Sequence, residues 1–155
     1  MKKVFMMLVS LLLIFLAFIT EGGALPWLIA PTVIVPLILG TLFTTMFTYK
    51  FIEIVQAFKE AFSEGTSVEK VTVYRKNILI VKALEKATRY WSLTILLMCL
   101  FLVLSNVTEP EDLGPSLAVS FLSLFYGFGV RASLYVPMES SLRQKIFQAI
   151  SNPKA

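Results

Sequence analysis

The sequence predicts an all-α fold: a polytopic membrane protein with four transmembrane helices and a short cytoplasmic helical hairpin between the second and third. Three observations carry this expectation. Four apolar stretches, residues 4–19, 27–48, 90–105 and 115–136, occupy most of the chain, and an α-helix needs about 20 apolar residues to cross ~30 Å of hydrocarbon. None of the four contains Asp, Glu or His. The composition, 57% apolar and 15% charged, lies well away from the roughly 25% charged residues of a soluble domain. The 155 residues therefore read as a single membrane domain, 1–155, with little outside it.

The charge distribution orients the helices. Lys2 and Lys3 precede the first stretch, and Lys50, Lys59, Lys70, Arg75, Lys76, Lys82, Lys86 and Arg89 lie between the second and third. Arg143, Lys145 and Lys154 follow the fourth. The other two connections carry only Glu21 and the acidic group Glu109, Glu111 and Asp112. By the positive-inside rule both termini and the central segment face the cytoplasm. A net charge of +4 placed this way signals topology and attraction to anionic lipid rather than nucleic acid.

Taken in order, the first stretch has the basic start and apolar core of a signal peptide. Phe18-Ile19-Thr20-Glu21-Gly22-Gly23 is a poor cleavage site, so the helix is expected to be retained. In the second, Pro36 is interior and is expected to act as a structural hinge, since proline lacks the N–H and crowds the carbonyl one turn earlier. Thr41, Thr44, Thr45 and Thr48 recur at i, i+3, i+4 and i+7, suited to back-bonding or packing. This helix is expected to continue past the membrane surface, because Phe51, Ile52, Val55, Phe58 and Phe62 keep helical spacing. After a turn at 63–67, with Ser67 as a cap, Val71, Ile78, Val81 and Leu84 lead up to the third stretch. The hairpin over residues 49–89 would then rise ~30 Å into the cell. Val71-Thr72-Val73-Tyr74 favours strand locally, which leaves the start of its second arm open.

The third stretch is bulky, with Ser92, Thr94 and Cys99 as its small or polar members. In the fourth, Ser116, Ser120, Ser123 and Gly127 stand at i, i+4, i+7 and i+11, along one face at ~100° per residue. Two roles fit this face: close helix packing, or a hydroxyl-lined wall toward a pore or partner helix. Arg131 follows in the same sector. It either snorkels to the cytoplasmic surface or guards the cytoplasmic exit of a cavity. Pro137 is expected to shape that end as a second hinge.

Enzymatic chemistry is not expected. The chain has no His, which removes the commonest general base and metal ligand. No glycine-rich phosphate loop is present, and the single Cys99 sits mid-stretch. Neither a cofactor nor a metal is expected.

Two segments carry a resemblance. One runs from Glu21-Gly22-Gly23 through Pro31 and Gly40-Thr41 to the Lys- and Phe-rich extension. The other begins Leu113-Gly114-Pro115-Ser116-Leu117-Ala118-Val119, passes Tyr126-Gly127 and reaches Pro137. Together they resemble the second and last helices of the MotA family, within the MotA/TolQ/ExbB group of proton channels. The resemblance implies a homo-oligomeric ring, a pentamer, around single-helix MotB/TolR/ExbD-like partners whose membrane Asp carries the ion. It also implies that Ser116, Ser120, Ser123, Tyr126 and Gly127 face the partner and the ion path. Three departures stand out. Ser123-Leu124 replaces the family's two Thr before Tyr-Gly. Trp91-Ser92 and bulky residues replace its Ala-Pro and spaced glycines. The cytoplasmic domain is reduced to residues 49–89, too small for a flagellar rotor-binding surface. The expected function is an ion-driven, stator-like subunit; the alternative is a non-conducting scaffold that assembles partner helices.

Overall fold

The computed structural model describes residues 30–63, 68–106 and 113–151, together with Val9, Leu12 and Leu16, which are helical. The rest of the first apolar stretch, Gly22-Gly23, the turn at 64–67 and the acidic connection at 107–112 lie outside the described residues. Every described segment is a helix or a link between helices. We label them α1 (Pro31–Met46), α2 (Phe51–Phe62), α3 (Val71–Asn106, preceded by a 3-10 turn at Val68–Lys70), α4 (Leu113–Val130) and α5 (Val136–Ser151). A single π turn, Arg131–Tyr135, joins α4 to α5.

Two helical runs are long and apolar enough to cross a membrane, Val71–Asn106 and Ser116–Ser151, or three if α1 and α2 count as one bent span. Only 28% and 22% of their apolar windows are buried within the chain. Most of that surface, including Leu97, Phe101, Phe121 and Phe128, faces outward, where only lipid or other apolar helices can cover it. The molecule is a membrane protein.

α1 opens with Pro31 in its first turn, where the missing N–H costs nothing. The helix runs on through Pro36 to Met46. There the expected continuous extension fails: α2 is a separate helix, turned 106° from α1. The reason is local. Lys50 is extended (φ −67°, ψ 145°), and the Glu53 carboxylate accepts its backbone N–H at 3.3 Å. That contact is half of a capping box and starts a new helix. The arm is therefore not a straight continuation of α1.

The strand-favouring Val71-Thr72-Val73-Tyr74 is helical, as the first turn of a 36-residue helix about 54 Å long at 1.5 Å per residue. Burial overrides local preference: Tyr74, Asn77, Val81 and Leu84 form one inward face. Tyr74, Val81 and Leu84 close the larger core with Ile54 and Ala57 of α2 and Met138 and Leu142 of α5. A second, smaller core joins Val33 and Leu37 of α1 to Ile95 of α3.

Pro137 does not end the last helix. Val136 donates its N–H to the Arg131 carbonyl, five residues back, and α5 continues to Ser151. Proline has no N–H to close an ordinary turn and its ring crowds the preceding carbonyls, so the helix widens by one residue instead of breaking.

Candidate functional site

The expected site residues lie mainly where α4 packs on α3. Ser120 and Ser123 are 1% and 0% exposed. The Ser120 hydroxyl donates to the Ser116 carbonyl and that of Ser123 to the Ser120 carbonyl, both at 3.0 Å. Their hydroxyls are thus satisfied inside their own helix. Gly127 is buried against Ser92 of α3, and a Cβ at position 127 would overlap the Ser92 side chain. Of the two roles that fit Ser120, Ser123 and Gly127, close packing is the one seen within the subunit, where this face is turned inward onto α3. Glycine and serine let the two backbones approach closely, the packing role that small residues play in membrane helix pairs.

Ser116 and Tyr126 are only half-buried. The Tyr126 hydroxyl accepts the Ala30 backbone N–H at 3.2 Å, tying α4 to the start of α1. Bulky residues in the third stretch do not prevent close packing either. Trp91 covers Gly40 of α1, where a Cβ would overlap the indole, and its Nε1–H donates to the Thr44 hydroxyl at 2.9 Å. The small residues sit on the helices opposite.

Below this seam, toward the basic side, a buried hydroxyl cluster links three elements. Thr88 of α3 donates to the Leu84 carbonyl at 2.9 Å and receives Thr41 of α1 at 3.4 Å. It also lies 2.9 Å from the Tyr135 hydroxyl in the π turn. Thr45 donates back to the Thr41 carbonyl at 2.8 Å. The Thr41 and Thr44 pattern was legible in the sequence; the partners Thr88 and Tyr135 were not, because nothing in either segment's spacing names the other.

Arg131 neither stands alone nor simply snorkels. Its Nε lies 2.9 Å from Oε1 of Glu85, and Arg89 meets the same oxygen at 3.0 Å. Glu85 lies before the third apolar stretch, so reading the central charges as topology alone passed over it. The Glu85/Arg89 pair at i, i+4 was the available signal. The triad rims a shallow recess whose other walls are Ser92, Leu124, Gly127 and Phe128.

Farther along the same end of the molecule, Lys145 is 3% exposed. Its ammonium donates to the Glu60 carbonyl at 2.5 Å and the Ser63 hydroxyl at 2.8 Å. It thereby satisfies the end of α2 and neutralises the negative pole of that helix. Two more pairs clamp α2 to the start of α3: Lys76 with Glu53 at 2.7 Å and Lys70 with Glu60 at 3.1 Å. The hydrogen bond from Lys76, joined by the Lys50 N–H, holds Glu53 below its usual value. Partial burial pushes Glu60 up, but the hydrogen bond and charge of Lys70 outweigh it and leave Glu60 lowered as well. Among the described residues no group of three His, Cys, Asp or Glu side chains is placed to hold a metal.

No family model matches the chain, and no curated protein matches it.

Proposed function

We propose that this chain is a membrane scaffold of the MotA/TolQ/ExbB kind, a homo-oligomeric subunit that gathers single-helix partner chains without itself conducting ions. The observation that carries the reading is the burial of the hydroxyl face. Ser120 and Ser123 spend their hydroxyls on carbonyls of their own helix and are closed off by α3. An ion wall needs such groups turned toward the passing charge. The outward faces of the spans carry Phe, Leu and Ile instead, suited to apolar packing against other helices or lipid. Glu85, which lies at the edge of the spans, is engaged by two arginines.

The second reading is the ion-driven subunit, in which a partner Asp carries a proton through a ring of five copies. It is favoured by the unbroken spacing of Leu113-Gly114-Pro115 through Tyr126-Gly127 to Pro137, and by the half-buried Ser116 and Tyr126. The two part on proton flux. The chain is reconstituted in liposomes with and without a single-helix, Asp-bearing chain encoded beside it. Co-purification without flux in either case is expected. Flux only when the partner is present, reduced by Ser123→Ala in an intact assembly, restores the second reading. A chain that stays monomeric and retains no partner sinks both.

A further inference from the structure

We infer that the recess between α3 and α4 binds the phosphate of an anionic phospholipid, held by Arg89 and Arg131. The inference is independent of whether the assembly conducts. Its first support is depth. Arg131 lies beside Glu85 and Arg89, just before the apolar stretch that begins at residue 90 and on the basic side of the molecule. That is the level at which cytoplasmic headgroups sit.

Charge is the second. Two guanidiniums converge on one carboxylate oxygen, so the triad keeps a net charge of +1. The Glu85 contacts engage Nη2 of Arg89 and Nε of Arg131. A guanidinium has five N–H donors in a planar fork that matches phosphate. The two side chains are 59% and 45% exposed, so that capacity opens outward. Glu85, at 15%, lies behind them and holds the pair in register.

The third is the apolar surface running from the same spot. Leu124 and Phe128 form the membrane-side wall, and Phe128, Phe125 and Phe121 continue along α4 as exposed apolar side chains. Gly127 keeps the floor low. A charged head beside an apolar track fits a lipid, with phosphate at the arginines and an acyl chain along the phenylalanines. A water-soluble anion needs no such track.

The test uses the full chain purified in detergent and exposed to phosphatidylglycerol or phosphatidylcholine, with retained lipid counted by native mass spectrometry. Preferential retention of phosphatidylglycerol is expected. Arg131→Gln and Arg89→Gln should each weaken it about tenfold, the scale of a charge-assisted hydrogen bond. Arg131→Lys, which keeps the charge and loses the fork, should weaken it less and controls for folding. Glu85→Gln separates binding from structure: removing the competing carboxylate should raise retention several-fold. If Glu85→Gln lowers retention as much as the arginine variants, the triad is only a helix clamp and the site is lost. Unchanged retention in both arginine variants overturns it too, as does displacement of the lipid by millimolar inorganic phosphate. Displacement by an Asp-bearing partner helix assigns the arginines to that carboxylate and likewise overturns the lipid.

Discussion

At position 127 a single methyl group decides how closely α3 and α4 approach. Gly127→Ala would drive its new carbon into Ser92 and is expected to destabilise the subunit by about 1–3 kcal/mol, the usual cost of overpacking. Thermal unfolding in detergent measures this, and adding Ser92→Gly should recover most of the loss, since it removes both colliding atoms. Gly40→Ala should behave alike against Trp91, with no such rescue short of replacing the indole. Removing the Tyr135 hydroxyl is a milder change. Tyr135→Phe should cost about 0.5–1.5 kcal/mol, because Thr88 keeps its bond to the Leu84 carbonyl. The serine and glycine spacing on α4 was readable in the sequence, but its direction was not. Spacing puts residues on one face without saying what that face meets. Only Ser92, supplied by a stretch that looked featureless, decides that the face points inward.

At the scale of the elements, the helices themselves were legible because apolar runs and helical periodicity are long-range, redundant signals. The junctions rest on one or two residues each and were harder to read. Periodicity runs smoothly through Phe47–Lys50, yet Glu53 three residues after Lys50 starts a new helix and turns the chain by 106°. A Glu at that spacing was the missed sign. Pro137 stood out in the sequence as a hinge; a π turn absorbs it and the helix continues to Ser151. The clamp between α2 and α3 also has a pH signature. Glu53 and Glu60 both lie below the ordinary 4.5 when folded. Their contribution is therefore complete above that value and is lost as pH falls through the lowered ones. Limited proteolysis at Lys59 and Lys70 should stay flat at neutral pH and rise only as pH falls below 4.5. Because these are exposed pairs, the rise should precede no global unfolding. Lys145→Ala, which strips the buried ammonium from the end of α2, should raise cleavage at Lys59 at neutral pH.

For the whole molecule, the balance between inside and outside surface carries the functional reading. Among the described residues the hydroxyls of the spans are largely engaged within the chain, serines on carbonyls and threonines on Thr88 and Trp91. Apart from the arginine pair at their edge, what the spans turn outward is mainly apolar and must meet lipid, another copy or a partner helix. Such a body suits a structural element of an assembly better than the lining of a conduit. Thiol accessibility at position 123 tests this most directly. With Cys99 replaced by Ala, Ser123→Cys is compared with Ala132→Cys, an exposed position beside Arg131, using a small water-soluble thiol reagent on membranes containing the assembled complex. Cysteine at 132 should label and cysteine at 123 should stay unmodified, with or without the partner chain. Rapid labelling at 123 that depends on the partner would mean that water reaches the serine face, contradicting the inward packing on which the scaffold reading stands.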